Sequence, residues 1–229
     1  DLTRSRGLGD VYKRQNIDGI SNISSERLID ELKKITSSNG FLKLLKDKES
    51  LELVEIIFPQ LKNIKNFKKQ NSYAAENFLK IDFIFLIAIL VIDGTDNADY
   101  FLYKFKISNK DKKRLKLIDL FYREKVTLNN FTEKNLNKFF YFNGRQAVID
   151  IINFKIFTSN KVEKKLIKLV DNYKENTIPT LPIGADLLMS KFQIPEGKTL
   201  GNKLKRIEEI WVQNGFQISD KQVQQIVKS

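Results

Sequence analysis

Between Asp82 and Asp93 run ten consecutive apolar residues, Phe83 to Ile92, with no glycine, proline or charge among them. A membrane-spanning helix needs about 20 apolar residues, so this segment is too short to cross a bilayer and must be buried in protein. A helix that is apolar all round needs partners on every side. The rest of the chain supplies them. Four prolines and ten glycines in 229 residues leave long stretches unbroken, and most show helical periodicity. No alternation long enough for a strand and no repeat of fixed period is present. The expected fold class is all-α.

Local signals place the helices. Ser24 is an N-cap with Glu26 in the first turn, and Leu28, Ile29, Leu32 and Ile35 form an apolar stripe. Arg27 with Glu31, and Asp30 with Lys34, are i,i+4 pairs. Asn39-Gly40 ends this helix. Two shorter helices are expected over Phe41–Lys46 and Leu51–Phe58, the second stopped by Pro59. Ala74 to Ile92 reads as one apolar helix, followed by the turn cluster Asp93–Asn97. Ser108 with Asp111 forms a capping box, and Thr132-Glu133 opens the next helix. Asn143-Gly144 separates that helix from Arg145–Phe157, and Asn160–Tyr173 is amphipathic. After the Pro/Gly-rich stretch Thr177–Gly184 come helices from Ala185, from Thr199 to Asn214, and after the cap Ser219.

Composition excludes much chemistry. There is no Cys and no His, which removes disulfides, thiolate zinc sites and the His-dependent nucleophile systems. The net charge of +12 points to a polyanionic partner. AT-rich codon usage, visible in the excess of Lys and Asn, is a competing source of that charge. The basic clusters are Lys62–Lys69, Lys104–Lys116, Lys161–Lys168 and Lys198–Arg206. Singly each reads as a solvated helix face; together they suit a phosphate-tracking surface.

Three motif-like features carry less. Gly197-Lys198-Thr199 lacks the Gly that a P-loop needs at position 192, where Phe192 stands, and reads as a helix-initiating turn. Asp93, Asp96 and Asp99 are spaced by three, which does not suit an EF-hand loop and reads as a solvated turn. Phe139 to Phe142 are four consecutive aromatics that cannot share one helix face, so most belong to the core.

Residues 1–15 are rich in Arg and free of Ile, Phe and Asn, unlike the rest of the chain, and read as adapter-derived sequence or a basic arm. If adapter-derived, the string marks a gene truncated at its N-terminus.

Several phrases resemble class II tRNA nucleotidyltransferases, the CCA-adding enzymes and bacterial poly(A) polymerases. Ile23 to Ile35 is similar to their "I-S-x-E-R-I-x-x-E-L-x-K-I" signature, and Leu51–Leu61 to the "L…FPEL" phrase, with Gln60 in place of Glu. Leu102–Leu115 is similar to the "L-K-x-S-N" linker, and Phe142–Arg145 to "Y-R-x-G-R", with Asn143 departing from it. Leu181–Leu188 with Ile194–Gly201 resembles "P-x-x-G-x-D-L…P-G-P-x-L-G" of the α-proteobacterial type, and Glu208–Trp211 its "E-x-x-W" helix.

The resemblance implies a neck/body/tail helical bundle without the catalytic β-sheet head. It divides as 16–70 (end of neck and RNA-binding domain), 71–176 (body) and 177–229 (tail). Arg27, Lys33, Lys34, Lys112, Lys113, Arg114, Arg145, Lys198 and Lys203 are the candidate RNA contacts, several of them chosen from charge alone. Ser24, Glu26, Glu31, Gly184, Asp186 and Gly201 are candidate structural positions. Arg27 with Glu31 reads as a clamp of neck to body. Gly184 and Asp186 read either as a turn with a helix cap or as RNA-positioning groups. The implied partner is tRNA, and the implied location is the cytoplasm. The family's Asp-x-Asp pair and nucleotide template have no counterpart here. The parent enzyme would use Mg²⁺ with CTP and ATP, while this chain would have no catalytic residue, no cofactor and no activity alone. The open alternatives are the equivalent part of a poly(A) polymerase and a helical protein-interaction domain.

Overall fold

The computed structural model describes residues 22–37, 40–69, 71–123 and 131–228. The adapter-like string 1–15 lies outside the described residues. Among them every regular element is helical: α1 (Ser25–Thr36), α2 (Gly40–Lys46), α3 (Lys48–Ile57), α4 (Ser72–Asn77), α5 (Phe83–Val91), α6 (Asn97–Lys104), α7 (Asn109–Arg123), α8 (Glu133–Thr158), α9 (Lys164–Glu175), α10 (Ala185–Phe192), α11 (Lys198–Gln213) and α12 (Asp220–Lys228). Short 3₁₀ turns cover Ile64–Lys69 and Phe78–Lys80. None of the described helices is long and apolar enough to cross a membrane.

Two compact units divide the chain. The first holds residues 1–125 and 153–164, the second 126–152 and 165–229. The chain therefore passes to the second unit at residue 126, returns to the first within α8 at residue 153, and passes to the second again at residue 165.

The first unit is built around α5. Phe85 to Val91 are all buried, and each of these side chains except Ala88 contributes about 1.5–3 kcal/mol in apolar transfer. The expected single helix from Ala74 to Ile92 is not formed. The chain stops at Asn77, makes a 3₁₀ turn, and passes through extended backbone at Ile81 and Asp82 before α5 starts. The reason is local. The Asp82 carboxylate accepts from the Phe85 amide at 3.1 Å, so its best use is as an N-cap, which requires the extended backbone that ends the preceding turn.

At the other end of α5, the last carbonyls would be orphaned. Two asparagines take them. Asn63 Nδ2 donates to Ile89 O at 3.1 Å and Ile92 O at 2.7 Å, and its amide donates to Leu90 O at 3.0 Å. Asn97 Nδ2 donates to Val91 O at 2.7 Å and to Gln60 O at 2.8 Å. A third, buried Asn71, caps α4 through Ala74 N and donates to Ile156 O and Ser159 O, which ties the end of α8 to this unit. Phe41, Phe67 and Phe78 pack ring to ring at 5.5 Å beneath α2.

Within the second unit, α8 bends at Gly144, whose φ of 82° and ψ of 175° are non-helical. This is the break expected at Asn143-Gly144, and a left-handed φ there favours glycine. Helix α9 starts at Lys164, later than the expected Asn160. Helices α10, α11 and α12 enclose a small core of Leu188, Leu200, Ile207 and Val223. Helix α11 closes in a Schellman motif: Phe216 N donates to Trp211 O, Gly215 N to Val212 O, and the Phe216 and Trp211 rings meet at 5.0 Å. Of the four consecutive aromatics, Phe140 is buried, Tyr141 packs on Trp211, and Phe142 is exposed.

Candidate nucleic-acid interface

Helix α1 forms as its sequence requires. Ser24 Oγ accepts from Arg27 N at 3.3 Å, Glu26 lies in the first turn, and Lys33 and Lys34 lie in the last turn, where they complement the helix dipole. Leu32 is buried, and the opposite face is open. Glu31 takes its ion pair from Lys34, one turn on, at 2.8 Å. This replaces the expected partner Arg27, whose charge acts on Glu31 only at longer range.

Leu28, Ile29 and Leu32 pack α1 on the core, and Glu26 adds a contact at the surface. Its carboxylate accepts from Lys106 Nζ at 2.9 Å, across 80 residues of sequence. That hydrogen bond holds the Glu26 carboxyl below its ordinary range. Lys106 sits between α6 and α7 with φ of 47°, a left-handed value uncommon for a side-chain-bearing residue.

Helix α7 begins one turn later, and the capping box expected at its start is present. Ser108 Oγ donates to Asp111 Oδ2 at 2.8 Å and accepts from the Asp111 amide at 3.2 Å. The segment Lys104–Lys116 contains seven bases and one acid, the densest positive run in the chain. Its members divide by role. Lys106 is paired with Glu26 and Lys116 with Asp99. Arg114 makes a two-pronged ion pair with Asp82, NH1 to Oδ1 at 2.8 Å and NH2 to Oδ2 at 2.7 Å. Burial pushes the Asp82 carboxyl up, but the Arg114 guanidinium and the Phe85 amide outweigh it and hold the group below its ordinary value. Lys110, Lys112 and Lys113 have no ion pair among the described residues, and Lys110 and Lys113 are exposed.

Together α1, the start of α5 and the start of α7 line a cleft of about 650 Å³. Lys33, Lys106 and Arg114 share it with Glu26, Asp30, Asp82 and Asp111. The cleft lining thus carries one more acid than base, and the lysines without an ion pair among the described residues stand along α7. Such an arrangement can hold an anionic backbone by point charges while the paired groups keep the helices in place.

The sequence candidates divide accordingly. Lys33 and Arg114 line one cleft, and Lys112 and Lys113 lie on the helix that supplies Arg114. In the second unit Arg145 donates to Asn176 O at 2.9 Å. Lys203 donates to the helix-end carbonyls of Ile226 and Val227 at 3.2 and 2.7 Å. Lys198 is exposed at the start of α11. Gly184 is the N-cap residue of α10 with φ of −99°, and Asp186 stands in the first turn. Gly201 lies exposed in α11 with open space around it. Lys106, Lys110 and Asp82 were not singled out by sequence. The three-residue spacing of Lys110 and Lys113 on one helical face was the available signal for Lys110; the other two depend on contacts that are distant in sequence.

Residues 14–65 match the family model described as "Probable RNA and SrmB- binding site of polymerase A". The match spans α1, α2 and α3 and ends just past Asn63, the residue that ties this segment to the end of α5. No curated protein matches the chain. The matched region thus resembles the RNA-binding part of the poly(A) polymerase and CCA-adding family. Among the described residues no group of three or more acidic side chains is placed to hold a metal ion.

Proposed function

We propose that this chain is the tRNA-gripping helical part of a CCA-adding nucleotidyltransferase of the class II, α-proteobacterial type. The observation that carries the reading is the match over residues 14–65 beside a cleft walled by α1 and the lysine-rich start of α7. A-form RNA is recognised through its shape and phosphates rather than its base edges. Lysines on rigid helices do this without reading sequence. The chain alone binds tRNA and transfers no nucleotide; the chemistry, with Mg²⁺, CTP and ATP, belongs to a catalytic head outside this segment.

The test is binding of the full chain to a tRNA transcript lacking its 3′ CCA, against a single-stranded poly(A) of equal length, over a range of salt. Tighter binding of the tRNA with a steep salt slope supports the reading. Equal or tighter binding of poly(A) favours the poly(A) polymerase relative. Salt-independent binding, or incorporation of CTP or ATP by this chain, would overturn it.

A further inference from the structure

We propose that Tyr103 is a stacking platform for an unpaired base of a bound RNA, an inference that rests on the RNA-binding reading. Helix α6 buries Ala98, Phe101 and Leu102 in the core of the first unit. That leaves Tyr100 and Tyr103, three residues apart and therefore on one helical face, outside it. Tyr103 is 83% exposed and Tyr100 56%. A single exposed apolar side chain is ordinary. Two neighbouring tyrosines with neither a ring contact nor a side-chain hydrogen bond among the described residues are a different case, since both rings stay open to a ligand. The hydroxyl keeps such a ring tolerable in water until its apolar body is covered.

The charges around the two rings distinguish them and select the ligand. Helix α7 follows α6 after the short link 105–108 and runs back along it, since Asp99 pairs with Lys116 at 3.1 Å and with Arg123 at 3.6 Å. Tyr103 lies one turn beyond Asp99, towards the link, and so stands nearer the start of α7. That is the end that carries Lys110, Lys112 and Lys113, none of them in an ion pair among the described residues. Asp99, on the same face of α6, is offset by Lys116 and Arg123. Tyr100 is closer in sequence to Asp96 at the acidic start of α6 and is the poorer platform for an anionic strand. An open ring beside unpaired lysines suits a strand whose bases are free to stack while its phosphates follow the charges. Every base has a π-face, so the platform selects an unpaired nucleotide and not a particular base. A continuous duplex keeps its bases inside and gives the ring nothing to cover it.

The experiment measures fluorescence anisotropy of the full chain with a short labelled oligoadenosine, and with the same strand made abasic throughout, which keeps every phosphate and removes every base. The base-bearing strand should bind about ten-fold tighter. Tyr103→Ala should remove most of that gain, leave binding of the abasic strand unchanged and leave the melting temperature nearly where it was, because the side chain is exposed. Tyr103→Trp should keep the gain, and Tyr100→Ala should cost less than Tyr103→Ala. Lys113→Ala should weaken both strands equally, as a phosphate contact does. Equal binding of the two strands, a preference that survives Tyr103→Ala, or a Tyr103→Ala loss shared by both strands overturns the platform and leaves the RNA reading intact. Binding of a tRNA transcript but of neither strand does the same. No binding of either strand or of the transcript overturns both. Binding to phosphatidylglycerol vesicles that depends on Tyr103, with the strands unaffected by Tyr103→Ala, assigns this face to a lipid surface and overturns the RNA base.

Discussion

Arg114 grips Asp82 with both guanidinium nitrogens, at 2.8 and 2.7 Å, and Asp82 in turn caps the most apolar helix in the chain. An arginine in a lysine-rich run, which charge alone would assign to phosphate, is committed to holding α7 against the start of α5. Arg114→Ala should therefore lower stability by about 1–3 kcal/mol, since it removes two charge-assisted hydrogen bonds around a half-exposed carboxylate. Thermal unfolding measures this. Arg114→Lys should recover only part, because a point charge cannot make the fork.

The same pair fixes the acid limb. The folded-state value of Asp82 lies below its ordinary 3.8, so its contribution is present above that value and is lost as pH falls through the lower folded one. Acid titration of unfolding free energy should show less loss below pH 3.8 in Arg114→Ala than in the unaltered chain. Identical limbs would remove Asp82 from the account.

Lys113 behaves in the opposite way. It is exposed on α7 and has no ion pair among the described residues. Lys113→Ala should leave the melting temperature nearly unchanged, since surface substitutions of this kind stay within about 0.5 kcal/mol. It should weaken RNA binding evenly across sequences and reduce the salt slope by about one. Lys110→Ala should act alike and additively.

Asn63 closes the other end of α5. Asn63→Ala leaves the carbonyls of Ile89 and Ile92 without their side-chain donor, a loss of about 1–3 kcal/mol. Hydrogen exchange should show faster opening of α5, with α10 to α12 in the second unit unaffected.

In the second unit, Tyr141 donates to Glu208 at 2.5 Å, and that bond pushes its phenol up to about 12. Tyr173 also rises to about 12, chiefly through burial. Ultraviolet titration should find these two among the seven tyrosines ionising late. The pair stabilises the fold below the ordinary value of 10, and that contribution disappears as pH rises from 10 towards 12. Glu208→Gln should return Tyr141 towards 10 and leave Tyr173 where it is.

The sequence by itself determined the helices and many of their ends. Pro59, the capping box of Ser108 with Asp111, the Thr132 cap, Ser219 and Gly144 all act over a few residues, and each does locally what its chemistry prefers. The burial of Phe83–Ile92 was equally legible, because ten apolar residues between two aspartates leave no other choice. Where α5 begins was read wrongly although its signal is local: the apolar periodicity from Ala74 was carried through Asp82, a capping residue type that accepts from the Phe85 amide and starts a new helix.

The tertiary structure decided which charges are free. Lysines and arginines look alike in a basic run, yet Lys106, Arg114, Arg145 and Lys203 are spent on Glu26, Asp82, Asn176 and the end of α12, while Lys110 and Lys113 are not. The physical reason is that a charge is neutralised by whatever stands within a few ångströms of it. For a side chain on a helix, that neighbour usually comes from a distant part of the chain.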